Sequence, residues 1–370
     1  VVGCSGVKAP IVIGTVGTQS GLVGSSVVEG VRAVQAWAAY ANARGGVNCH
    51  PVKYVIYDDG GDPSRNQASA QRLVEQDHAI ALVQADAPLS GQASVNYLTA
   101  KRVPVIGSET ASPWFYSSPM YFPQASSGDN LTDLLIATLN KIGRSQGKTK
   151  LATLSCVETT TCSRFYSAAP SLAAKYGLAL AYRGQASLAQ PDFTSICQGA
   201  QSAGAQMIGI ELDAASVQRV ARSCATVNFH PQFGTVVNAA PIPPSDASLE
   251  GVAIGENVLP WMITSNPGIA QFHDALRQNA PGVQANPISV GGWVSAKLFE
   301  FAVQHVSETP SSQDVLNGLW SMKSNDLGGL TMPLTFVKDQ NAPQTPTCYW
   351  LLQAKGGQYV SPDGGQRTCA

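Results

Sequence analysis

The amino-acid sequence predicts an α/β protein built as two doubly wound parallel-sheet lobes. Three observations lead there. The 370 residues exceed what one compact core usually organises. Short apolar strands alternate with helical segments of ten or more residues, the pattern of parallel sheets joined by right-handed crossovers. That alternation runs twice, once up to about Gly143 and again from Leu151.

The first series opens with Pro10-Ile11-Val12-Ile13-Gly14 as a buried strand, followed by a loop of small residues from Thr15 to Ser26. Val31, Val34, Ala38 and Ala41 recur at helical spacing and predict a helix over Val27 to Asn42, ended by Gly45-Gly46. Val52 to Tyr57 alternates as a strand. Asp62-Pro63 then starts a helix, with Asp as N-cap and Pro where a missing N–H costs nothing. Ala79 to Val83 reads as a strand, Ser94 to Ala100 as a helix, Val103 to Ile106 as a strand and Asn130 to Gly143 as a long helix. The second series sets strands at Leu151–Leu154, Ala179–Tyr182 and Met207–Ile210 against helices at Ser163–Tyr176, Phe193–Ala203 and Ala215–Ala225. Ligands of such folds bind beyond the carboxyl ends of the strands, so functional residues belong in the loops that follow them.

Composition removes several function classes. Charged residues make up 13%, about half the usual share, and the net charge is −1 with no run of Lys or Arg. A phosphate backbone needs clustered cations, which excludes nucleic acid as a partner. Apolar runs such as Met207-Ile208-Gly209-Ile210 fall far short of a membrane span. The sequence begins at Val1 without an initiator Met or a charged leader, and reads as a mature fragment whose signal peptide or lipoprotein leader is absent.

Eight cysteines show no C-x-x-C spacing, and the five histidines show no metal-ligand spacing. The even count points to disulfides and an oxidising compartment, with no metal or cofactor expected. Sequential pairing is expected: Cys4 with Cys49, each preceding a strand of one sheet, and Cys197 with Cys224 on consecutive helices. Cys156 with Cys162 would stiffen one strand-to-helix loop, leaving Cys348 with Cys369.

Catalytic motifs do not survive inspection. Gly143-Arg144-Ser145-Gln146-Gly147-Lys148-Thr149 is one residue short for a phosphate loop and follows a helix, where a phosphate loop precedes one. Ser145-x-x-Lys148 has no accompanying acyl-enzyme signature, and G-x-S-x-G does not occur. Asp58, Asp59 and Asp62 read better as a strand end and a helix cap than as an acid/base pair. Trp37, Tyr40 and Phe299 read as core, whereas the loop aromatics Trp114, Phe115 and Tyr116 fit a cleft lining as well as packing.

Several stretches resemble the leucine/isoleucine/valine-binding proteins, type I periplasmic solute-binding proteins of ABC importers. These are Ala41-Asn42-Ala43-Arg44-Gly45-Gly46-Val47-Asn48, Tyr57-Asp58-Asp59 with Asp62-Pro63, Val103-Pro104-Val105-Ile106 before Ala111-Ser112-Pro113, and Gln206-Met207-Ile208-Gly209. Glu250-Gly251 and Gly328-Gly329-Leu330-Thr331 extend the match over nearly the whole chain. The resemblance implies a three-segment hinge, with residues 8–124 and 256–328 as lobe 1 and residues 125–255 and 329–370 as lobe 2. It also implies an extracytoplasmic protein, periplasmic or cell-surface and anchored to a membrane only through a lipid. Such a protein works as a monomer that closes on a small molecule and hands it to a permease.

For the site the resemblance implies Ser20 in the first loop and Pro88 or Ser90 after the third strand. Glu109, Thr110 and Ala111 follow the fourth strand, Thr161 starts a second-lobe helix, and Glu211 ends a second-lobe strand. Asp86, Glu109 or Glu211 could meet an ammonium, because a buried charge without a partner costs several kcal/mol. Family positions that carry a Ser, a Tyr and a Thr hold Pro88 or Ser90, Thr161 and Ala111 here. This displacement of polar groups, with Trp114 nearby, favours an organic acid with an apolar or aromatic body over a branched-chain amino acid. A sensor domain on the same fold is the alternative of a different class.

Overall fold

A computed structural model describes residues 4, 6, 8–108, 110–125, 128–236, 243–342 and 348–369. The chain divides into two compact units. Unit 1 is Val1–Ser127 with Ile263–Gln344, and unit 2 is Gly128–Met262 with Thr345–Ala370, so the chain passes between them three times. Residues 256–262 fall with unit 2, where Glu256 pairs with Trp350 and Trp261 packs edge-on against Tyr359. Residues 329–344 fall with unit 1, where Thr331 Oγ1 donates to Gln124 O at 2.7 Å and Phe336 meets Phe122.

In unit 1 the strands are β1 (Ile11–Gly17), β2 (Val52–Asp58), β3 (Ala81–Val83), β4 (Val105–Ile106) and β5 (Tyr121–Phe122). All pair in parallel in the order β2-β1-β3-β4-β5. Helices α1 (Val28–Asn42), α2 (Pro63–Glu75) and α3 (Gln92–Lys101) connect them. Asp62 caps α2 by accepting from the Arg65 N–H at 2.9 Å, with Pro63 in the first turn, as the sequence pattern indicated.

Unit 2 begins with α4 (Gly128–Ser145), β6 (Lys150–Cys156), α5 (Thr160–Lys175) and β7 (Ala179–Ala186). It continues through α6 (Thr194–Ser202), β8 (Met207–Glu211), α7 (Ala214–Thr226), β9 (Gln232–Thr235) and β10 (Ala253–Glu256). Strands β7, β6, β8, β9 and β10 lie side by side in parallel. Helix α4 crosses β8 to β10 where Gly209, Gly234 and Gly255 clear its path. A Cβ on Gly234 would sit 2.5 Å from Leu139. Pro170 lies inside α5 and cannot donate to the Tyr166 carbonyl, which accepts from Arg183 Nη1 at 3.2 Å instead.

Helices α8 (Pro267–Asn279), α9 (Pro287–Ala302) and α10 (Ser312–Ser321) complete unit 1. Strands β11 (Cys348–Lys355), β12 (Gln358–Val360) and β13 (Arg367–Cys369) extend the second sheet antiparallel. The two α/β series of the sequence reading are both present, but this antiparallel tail was not foreseen. Its partner β10 lies some ninety residues earlier, and no local pattern announces that pairing. Four disulfides join Cys4–Cys49, Cys156–Cys162, Cys197–Cys224 and Cys348–Cys369, the sequential scheme.

Candidate functional site

In each unit the strand order reverses once, and the crevice at that reversal is where doubly wound sheets hold ligands. In unit 1 the reversal lies between β1 and β3, so Thr18 to Ser20 and Gln84 to Ser90 flank it. In unit 2 it lies between β6 and β8, bringing Ser155, Cys156 and Glu211 to the rim.

The unit 1 rim is organised around Asp59. Its carboxylate accepts from Thr18 Oγ1 (2.9 Å), Gly61 N–H (2.7 Å), Asn66 Nδ2 (2.7 Å) and Ser90 Oγ (2.8 Å). Ser94 Oγ donates in turn to Asn66 Oδ1. A serine has one hydroxyl proton, so Ser90 gives Asp59 the proton that a ligand acid group would need. Asp58 resembles Asp59 on a smaller scale. Burial opposes its ionisation, yet hydrogen bonds from the Ser20 hydroxyl and from the Gly60, Gln19 and Ser20 N–H groups hold its carboxyl below the usual range. Ser20 itself is exposed.

Asp86 is buried and accepts from Gln84 Nε2 at 2.7 Å. Pro88 is half-buried in the turn before α3. Thr110 and Ala111 are buried after β4. The Thr110 N–H donates to Ser108 Oγ (3.0 Å), and its carbonyl accepts from the Tyr116 hydroxyl (2.9 Å). Glu109 lies outside the described residues. The aromatic loop packs within unit 1. Phe115 is fully buried, while Trp114 is half-buried edge-on to Phe115 and Tyr121, with its ring where a Cβ on Gly91 would come within 2.4 Å. Three consecutive aromatics pack together because β5 supplies Tyr121 as a fourth ring, which the loop sequence alone does not reveal.

The unit 2 rim is different in kind. Glu211 ends β8 almost wholly buried, its Oε2 has no hydrogen-bond partner, and burial pushes its carboxyl up to about 8. Its register partner on β6 is Ser155, whose buried hydroxyl also lacks a partner. Cys162 Sγ lies 3.4 Å from the Glu211 carbonyl, so the Cys156–Cys162 disulfide ties the start of α5 to the same rim. Thr161 is buried in that first helical turn, beside the Thr159 cap. Asp213, next to Glu211, caps α7 by accepting from Ala215 and Ser216 N–H groups.

Sequence reasoning missed Glu256. It ends β10 fully buried, Oε1 accepts from the Asn257 and Val258 N–H groups, and Oε2 has no partner. Burial outweighs those two hydrogen bonds and pushes this carboxyl up to about 8 as well. The signal was available. Val252-Ala253-Ile254-Gly255-Glu256 repeats the apolar-strand-then-Glu pattern of Met207 to Glu211.

Among the described residues there is no cluster of three metal-ligating side chains, and no helix is long and apolar enough to cross a membrane. Residues 10–358 match the model of the periplasmic binding protein family. The chain belongs to that family. One stretch of 75 residues is 40% identical to an amino acid binding protein of Pseudomonas aeruginosa, spanning 20% of either chain. The solved structure of a possible leucine/isoleucine/valine-binding protein from Rhodopirellula baltica superposes with a TM-score of 0.81 at 15% identity, covering 97% of this chain and 98% of that one. A fatty acid ABC transporter substrate-binding protein from Thermomonospora curvata gives 0.80 at 15% identity, covering 98% and 93%. A leucine-binding protein from Thermotoga maritima gives 0.75 at 13% identity, covering 95% and 99%. The type I periplasmic binding protein fold is common to them, while the low identities leave the ligand to be argued from this chain's own rims.

Proposed function

We propose that this periplasmic binding protein captures a small organic acid with an apolar body outside the cytoplasm and delivers it to an ABC importer, without catalysis. The observation that carries the reading is Glu211, buried at the strand reversal of unit 2 with an oxygen that no protein group answers. Held neutral by burial near pH 7, its carboxyl has an O–H to donate, which suits a ligand carboxylate. The first-turn N–H groups of α5, where Thr161 sits, favour the same negative charge. The T. curvata relative, described as a fatty acid binder, supports an apolar body.

A branched-chain amino acid is the second reading, supported by the amino acid binding protein of P. aeruginosa and the leucine-binding protein of T. maritima. An ammonium would force Glu211 to ionise and release its proton. Calorimetry in two buffers of different ionisation enthalpy separates the two cases. An organic acid should bind with no proton release and survive Glu211→Gln within a few-fold. Leucine binding that releases about one proton per ligand at pH 7, and that Glu211→Gln abolishes, would replace the first reading with the second.

A further inference from the structure

Unit 1 holds a cavity of about 440 Å³ between the end of α1, the loop Arg44 to Cys49, and helices α8 and α9. It is far from the carboxyl rim. Cys49 and Pro51 carbonyls accept from Lys8 and Ile11 N–H groups at the amino end of β1, a seven-residue strand. At about 3.3 Å per residue the cavity stands roughly 20 Å from the strand ends that carry Thr18 and Ser20. We propose that this cavity is a second small-molecule site, for an organic anion with an apolar body.

The size is that of a pocket for a small ligand. Tyr40 and Ala41 give it apolar surface, and the fully buried Trp37 and Trp293 stand behind them, Trp293 edge-on to Tyr40 with ring centroids 6.2 Å apart. The charges around it are unequal. Glu300 Oε2 accepts from both Trp37 Nε1 (3.0 Å) and Lys297 Nζ (2.8 Å). Arg44 stacks its guanidinium 3.4 Å from the Tyr40 ring centroid and has no carboxylate partner among the described residues. Two cations therefore face one carboxylate, leaving a net positive charge for an anion to balance. A carboxylate answers that charge, whereas a cation or a neutral molecule leaves it unanswered. The Cys4–Cys49 disulfide lies in the wall and fixes the loop, so the shape exists before the ligand arrives.

The test uses the full chain labelled with 5-fluorotryptophan, its six signals assigned by single Trp→Phe changes, and titrated with phenylacetate. Saturable shifts of the Trp37 and Trp293 signals are expected, with binding at least about tenfold weaker for neutral 2-phenylethanol. Arg44→Gln and Lys297→Gln should each weaken phenylacetate about tenfold, and Glu211→Gln in unit 2 should leave the shifts unchanged. Absence of a saturable shift up to about 20 mM, an equal response to the alcohol, or indifference to both Gln variants would overturn the proposal. Arg44 and Lys297 belong to neither carboxyl rim, so their Gln variants test this site apart from the ligand reading above.

Discussion

The carboxyl rims of the two units are built from similar residues but differ in how many polar atoms remain unpaired. In unit 1, Asp59 gathers four donors from three loops and one helix, so its hydrogen-bonding capacity is filled by protein. In unit 2, Ser155 on β6 and Glu211 on β8 flank the strand reversal and Glu256 ends β10, with one buried atom each that has no partner. The first rim is a finished scaffold. The second keeps strained electrostatics that a ligand or a proton can relieve, and that makes it the better candidate for chemical discrimination.

The largest effect should come from dismantling the finished rim. Asp59→Ala leaves the Thr18 and Ser90 hydroxyls, the Asn66 amide and the Gly61 N–H without their acceptor, for a loss of about 3–5 kcal/mol. Calorimetry should show the thermal transition of unit 1 falling by roughly 10 °C. A variant as stable as the parent would erase the contrast between the rims.

Unit 2 should respond to pH in the opposite sense from an ordinary paired carboxylate. Glu211 and Glu256 sit at about 8 in the folded chain against an ordinary 4.5, so the folded state holds protons that the unfolded chain has released. Their contribution is complete below about pH 4.5 and is lost progressively as pH rises towards 8. Urea midpoints measured from pH 5 to 8 should fall accordingly, and the double variant Glu211→Gln, Glu256→Gln should flatten the slope. An unchanged slope would mean that neither carboxyl is held neutral.

A smaller change tests whether the aromatic loop belongs to the scaffold. Gly91→Ala places a methyl against the Trp114 ring and should cost about 1–3 kcal/mol by displacing it. Ligand affinity should stay within a few-fold, and a large loss of affinity at unchanged stability would return the loop to the binding surface.

The smallest effect is expected at Asp246 in unit 2, a conventional surface carboxylate. Partial burial opposes its ionisation, but Ser248, Gln218 and Arg222 outweigh it and hold the carboxyl at about 2. Its stabilisation is present above about pH 4 and is lost as pH falls towards 2. Asp246→Asn should therefore cost about 1 kcal/mol at pH 7 and only a small part of that at pH 2 by acid titration.

Local signals were enough for the elements they govern. Asp62-Pro63 placed the start of α2, the recurrence of Val31, Val34 and Ala38 placed α1, and the order of the cysteines placed all four disulfides. These rest on neighbours within a few residues, or on which strands and helices are consecutive. The antiparallel pairing of β11 with β10 and the commitment of the Ser90 proton to Asp59 join residues that are remote in sequence, and the packing of Trp114, Tyr116 and Tyr121 around Phe115 needs β5 to bring Tyr121 into place. The same holds for the state of Glu211 and Glu256. A glutamate after an apolar strand is visible in the sequence, but whether it is ionised depends on how many donors the folded chain brings to it. By itself the sequence determined the α/β alternation, the caps, the bridges and the family. Tertiary structure alone decided which polar atoms are satisfied, because a hydrogen bond goes to whichever group folding brings within about 3 Å.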